Sequence, residues 1–231
     1  MKKETRLYCF SPLVMIVTFV IEISLAIYTF IKAKKAKSDY AIVMVLVFLA
    51  LFQLSEYQIC EGGNILFWSR IGMVSITFLP ILGLYVVSQF KKAPLLKFGF
   101  LTAFAFIMFF AFYPESVNDA TCTGNYIIFS IDKNVHIMYG YYYFGFLLFG
   151  IWEALKGVQD EAQKDKIRHA LKWFIIGYAS FILPLTIAYF LIPTTRIAIA
   201  SIMCGFAVVF AFILTFKIGP IYHECVKKEE K

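Results

Sequence analysis

Apolar stretches of about 20 residues alternate along the chain with short polar and charged clusters. A helix needs about 20 mostly apolar residues to cross a bilayer, with a range of 17–25. Stretches near 10–31, 40–60, 67–90, 98–113, 135–155, 171–192 and 197–217 meet that requirement, the fourth lengthened by Leu95 and Leu96. The pattern predicts an all-α integral membrane protein: one seven-transmembrane helix bundle occupying residues 1–231. No small-residue cleavage site follows the first run, which therefore reads as a span and not as a signal peptide.

Composition agrees. The chain is 61% hydrophobic and 16% charged, where a soluble domain is nearer half apolar and a quarter charged. Its 19% aromatic content suits lipid-facing helices and interfacial belts. A net charge of +7 would suggest nucleic acid in a soluble protein, but here sidedness accounts for it and no nucleic acid is implied. Sixteen of the 22 lysines and arginines fall in 32–37, 91–97, 156–172 and the tail from 217. By the positive-inside rule that places the N-terminus outside and the C-terminus in the cytoplasm.

The loops differ in character. KAKKAKS, from Lys32 to Ser38, suits contact with anionic lipid. Between 156 and 169 acids and bases alternate in a helix-forming stretch. That stretch should extend helices 5 and 6 past the membrane surface, as a solvated face or as a docking surface for a partner. The longest outer loop, Pro114 to Asn134, has a Gly, Asn, Asp and Thr content that argues for irregular structure folded over the mouth of the bundle. PTTR, at 193–196, reads as a tight turn.

Candidate chemistry gathers in the stretch 52–80, FQLSEYQICEGGNILFWSRIGMVSITFLP. Gln53, Glu56 and Tyr57 stand at i, i+3 and i+4 and share one helix face. Arg70 follows the glycine turn at what should be a similar depth. Charge inside hydrocarbon costs roughly 2.5–3.5 kcal/mol per group, so an ion pair between Glu56 and Arg70 is expected, either as a clamp or as the floor of an outer vestibule. Glu22 lies roughly 18 Å below the outer end of helix 1, with no cation in its own segment. It reads as a neutral acid bonded to a backbone carbonyl or hydroxyl, or as a pocket or proton-relay carboxyl. His136, Tyr139, Gly140 and Tyr143 form one face of helix 5, which is either an interfacial aromatic belt or part of a binding face. Cys60 and Cys122 both fall on the oxidising side and suit a disulfide tying loop to bundle, with Cys9 as a competing partner.

Other chemistries are disfavoured. His136 falls outside and His169 and His223 inside, so a three-histidine zinc site cannot assemble in the bundle. Helix 7 has no mid-span lysine for a retinal Schiff base, and no GxSxG, Walker or HExxH pattern occurs. No cofactor is implied, and binding is favoured over catalysis.

LFWSRIGMVSITFLP opening helix 3, MYGYYYFGFLLFGIWEAL in helix 5, KIRHALKWFIIGYASFILPLTIAYFLIP in helix 6 and FILTFKIGPI ending helix 7 together resemble a known module. It is the seven-transmembrane N-terminal sensor region of bacterial and archaeal histidine kinases. The resemblance implies sensing of a ligand or of membrane state and, with only a short tail after helix 7, signalling through a separate cytoplasmic partner. The combined expectation is a receptor-like sensor in the cell membrane of a prokaryote. It would bind a small polar or amphiphilic ligand between helices 1, 2, 3 and 5 through Glu22, Gln53, Glu56, Tyr57, Arg70, His136, Tyr139 and Tyr143. The alternative is a transporter or lipid-modifying enzyme with Glu22 or Glu56 as proton carrier. Membrane lipid is an expected contact in either case.

Overall fold

The computed structural model describes residues 11–36, 40–123, 127–191 and 199–229. The Cys9 alternative, the end of the KAKKAKS loop and the PTTR turn lie outside those residues. Helices dominate: α1 (Pro12–Ala36), α2 (Ala41–Cys60), α3 (Ile65–Ser88), α4 (Leu96–Phe112), α5 (Lys133–Gln159), α6 (Asp165–Leu191), α7 (Ile199–Ile213) and α8 (Gly219–Glu229). Strands β1 (Asp119–Cys122) and β2 (Ile127–Ser130) lie between α4 and α5.

Among the described residues, five helical segments are long and apolar enough to cross a membrane: Pro12–Lys35, Ala41–Cys60, Ile65–Ser88, Asp165–Leu191 and Ser201–Glu224. Helix α4 is apolar but has only 17 residues. Helix α5 is long, at 27 residues, yet its tyrosines, glycines and flanking charges dilute its hydropathy. This is an all-α bundle of the kind a multi-pass membrane protein requires.

Local chemistry sets the helix ends. Gly62, at φ 84°, takes the left-handed conformation that turns the chain after α2, a conformation cheap only for glycine. The Asn64 side chain then caps α3 by accepting from the Phe67 N–H at 3.0 Å, and Asp132 caps α5 by accepting from Asn134 and Val135. Pro80 and Pro184 lie inside α3 and α6. The Tyr142 hydroxyl donates to the Thr77 carbonyl at 2.7 Å, close to Pro80, where neighbouring groups commonly take up backbone loosened by a proline.

One expectation about a loop is corrected. The α4–α5 loop, expected to be irregular, contains an antiparallel hairpin, with Asp119 opposite Ser130 and Cys122 opposite Ile127, because burial of Ala120 and Ile127 against the bundle stabilises extended pairing. The tail after helix 7 is helical. Past Ile213 the chain widens into a π turn, Leu214–Ile218, and continues as α8. Gly219 N–H reaches back to the Leu214 carbonyl, and Pro220, lacking an N–H, cannot supply the ordinary i−4 bond there.

At the opposite end from the hairpin, α5 and α6 run on through Gln159 and from Asp165, as the charge pattern predicts. Lys166 pairs with Glu224 of α8 at 2.9 Å, and Gln163 donates to the Phe90 carbonyl at 2.9 Å. These bonds join α3, α6 and α8 at the end of the bundle away from the hairpin. Above them one continuous apolar core is shared by all the long helices. The Tyr178 hydroxyl lies against Gly83, where a Cβ would overlap it.

Candidate functional site

Disulfide Cys60–Cys122 joins the end of α2 to β1, with Cα atoms 5.3 Å apart. Beneath the hairpin, Met15 of α1, Ile59 of α2, Ala120 and Ile127 form a small apolar cluster. Tyr57 and Phe129 pack on it, and Phe129 also stacks obliquely on Phe52. The outer loop thus covers the bundle mouth, in keeping with the sequence.

Below that cover the interior turns polar. Two helical turns in from the Met15–Ile59 contact, the antiparallel α1 and α2 bring Glu22 level with Phe52 and Gln53. Glu56 stands one turn nearer the cover. Glu22, Gln53 and Glu56 are each no more than 2% exposed. The two carboxyls lie within Coulombic reach of each other and of the Cys204 thiol of α7. Glu56 faces the Ser201 hydroxyl, also of α7, within interaction range. Ser201 in turn accepts from the Ile127 N–H of β2 at 3.3 Å, so one hydroxyl stands between the hairpin backbone and the carboxyl.

The centre is incompletely satisfied. Among the described residues, both Glu22 oxygens, Glu56 Oε1 and Gln53 Nε2 find no hydrogen-bond partner. Nor does a cation meet them: the ion pairs among the described residues are Lys156–Glu153, Lys166–Glu224 and Arg168–Asp165. Buried polar groups are nearly always hydrogen-bonded, and a buried carboxylate without a countercharge is costly. A site with this composition can take up protons, a cationic group, or a molecule rich in hydrogen-bond donors. Among the described residues no group of three or more His, Cys, Asp and Glu is arranged to hold a metal ion.

Arg70 is the main correction. Its guanidinium donates through Nη2 to the Pro114 carbonyl at 3.0 Å and forms no ion pair with Glu56. The cause is rotational. Arg70 lines a groove with Leu51 of α2, and Leu51 and Glu56 are five residues apart, roughly 140° around the helix. The acid points inward and the base outward, so the ion pair expected to floor a vestibule is absent.

Helix α5 divides its candidates. His136 is exposed in the first turn. Tyr139 is buried, its hydroxyl 3.2 Å from that of Thr77. Tyr143 is buried against a separate narrow cavity of about 30 Å³, shared with Tyr178 and Cys204, which is room for about one water. Helices α1, α2 and α7, and not helices 1, 2, 3 and 5, hold the carboxyl centre. The sequence reading did not single out Ser201 or Ile127. A lone serine near a helix start carries no distinguishing signal, and Ile127 takes part through its backbone.

No protein-family model, curated protein or solved structure matches the chain. The fold and the site define a class: a helical bundle fit for multiple membrane crossings, with a pair of buried carboxyls that no cation among the described residues meets, under a disulfide-bound hairpin.

Proposed function

We propose that the chain is a receptor-like sensor of the cell membrane, crossing it seven times with its N-terminus outside. Its receptive centre is the Glu22–Gln53–Glu56 group with Ser201, between α1, α2 and α7. The ligand is a small polar or amphiphilic molecule that presents a cationic or strongly donating group to the two carboxyls. The inner ends of α5 and α6, bound to neighbouring helices by Gln163 and Lys166, pass the response to a cytoplasmic partner. Coupling of this kind requires the ligand to bind two packings unequally.

One observation carries the reading: four buried polar atoms on Glu22, Gln53 and Glu56 have no hydrogen-bond partner among the described residues, at a position where apolar side chains would be less costly. A thermal-shift panel of small amines and amides on the purified protein tests it. At least one member is expected to raise the melting temperature of the wild type, and Glu22→Gln combined with Glu56→Gln should abolish that rise. Retention of the shift in the double variant would overturn the site. The proximity of the two carboxyls favours one alternative, proton carriage by a transporter or lipid-modifying enzyme. Proton flux into proteoliposomes that Glu22→Gln abolishes would select that alternative.

A further inference from the structure

A second polar group without a full set of partners lies on the outside of the bundle. Between α2 and α3 runs an open groove of about 550 Å³. At its hairpin end are Asn64, Phe67 and Arg70; farther in it is walled by Leu51, Phe48 and Val74. The charged and amide groups are thus at one end; Ser75 at the far end spends its hydroxyl on the Ile71 carbonyl, and the long walls are hydrocarbon. Phe67 is 56% exposed, as a lipid-facing side chain would be. No acidic residue lines the groove. Arg70 uses Nη2 on the Pro114 carbonyl, while its Nε is buried with no partner.

We propose that this groove is a binding site for an anionic phospholipid from the leaflet at the hairpin end. Its phosphate sits on the Arg70 guanidinium, and one acyl chain lies along Leu51, Phe48 and Val74. Three features fit that occupant. A guanidinium presents several donors in a fork that matches phosphate oxygens. Arg70 stands near the start of α3, whose N-terminal end carries a partial positive charge. Beyond Arg70 the walls are hydrocarbon through Ile71, Val74, Leu51 and Phe48, as an acyl chain requires. The occupant is thus matched in charge at one end and in polarity along the rest. The inference rests on the chain being membrane-embedded but not on the carboxyl centre.

Native mass spectrometry of the detergent-purified full chain, titrated with phosphatidylglycerol or phosphatidylcholine, tests the site. The wild type is expected to retain phosphatidylglycerol about tenfold better than phosphatidylcholine, a ratio within reach of one charge-assisted contact. Arg70→Gln should bring the two lipids to parity. Val74→Trp leaves the Arg70–Pro114 bond in place and fills the groove, so it should lower retention of both. Inorganic phosphate alone should neither bind nor displace the lipid. Equal retention of the two lipids by the wild type, an unchanged preference in Arg70→Gln, or full competition by inorganic phosphate would each overturn the proposal. A separate check, that the wild-type chain leaves the membrane fraction only with detergent, distinguishes failure of the site from failure of the membrane reading.

Discussion

Two buried polar groups in this bundle make a natural pair. Between α3 and α5, Tyr142 donates to the Thr77 carbonyl, the Thr77 and Tyr139 hydroxyls lie 3.2 Å apart, and Thr77 Oγ1 is also 2.6 Å from the Met73 carbonyl. Each of these hydroxyls has a protein partner. Between α1, α2 and α7, Glu22, Gln53 and Glu56 are likewise buried and leave four polar atoms unpartnered among the described residues. Burial alone therefore does not separate the two sets; satisfaction does. The tyrosine set holds two helices together, and Phe106 and Phe110 of α4 pack around it. The carboxyl set has polar atoms left over, which is what the proposed function draws on.

The contrast can be broken or sharpened experimentally. Only the carboxyl set lies under the stapled hairpin, so removing the disulfide should affect its surroundings most. A cross-link spanning 62 residues constrains the unfolded chain by about 4 kcal/mol in the chain-entropy account. Cys60→Ser or Cys122→Ser should lower the denaturation midpoint accordingly, and a reductant should do the same to the wild type but not to the variants. Next in size is a change of opposite sign. Glu22→Leu, replacing an unpartnered buried acid by a hydrocarbon, should stabilise the protein by about 1–2 kcal/mol; destabilisation of similar size would move Glu22 into the structural class with the tyrosines. Tyr142→Phe should be the smallest, costing about 1 kcal/mol through loss of one buried hydrogen bond. No loss in Tyr142→Phe would remove the basis for treating the two sets as different.

Much of this arrangement was legible before any coordinates, for reasons tied to particular residues. The apolar runs carry the helix positions because burial in lipid demands continuous hydrophobicity, and the α2 candidates Gln53 and Glu56 follow from three-residue spacing on one helix. Cys60 and Cys122 could be matched by compartment, since both lie in connections at one end of the bundle. What failed was the relation between helices. Pairing Arg70 with Glu56 rests on depth alone, yet depth says nothing of rotation, and roughly 140° of rotation decides the matter. The hairpin was hidden because DATC and IIFS are too short to carry a strand signal amid turn-forming residues. Ser201 entered the centre only because α7 packs beside α1 and α2, a contact that no local pattern encodes.

The cover over the carboxyls is bonded at two sides, covalently to α2 through Cys60–Cys122 and by Ile127 N–H to α7 through Ser201. It is a fixed roof, not a hinged door. Of the three helices around the acids, α1 is the least enclosed, with Val17, Val20, Ile27 and Ile31 exposed, and it carries Glu22. Under the proposed function a ligand would therefore have its least obstructed way in sideways past α1, which favours solutes that partition into lipid over those dissolved in the water above.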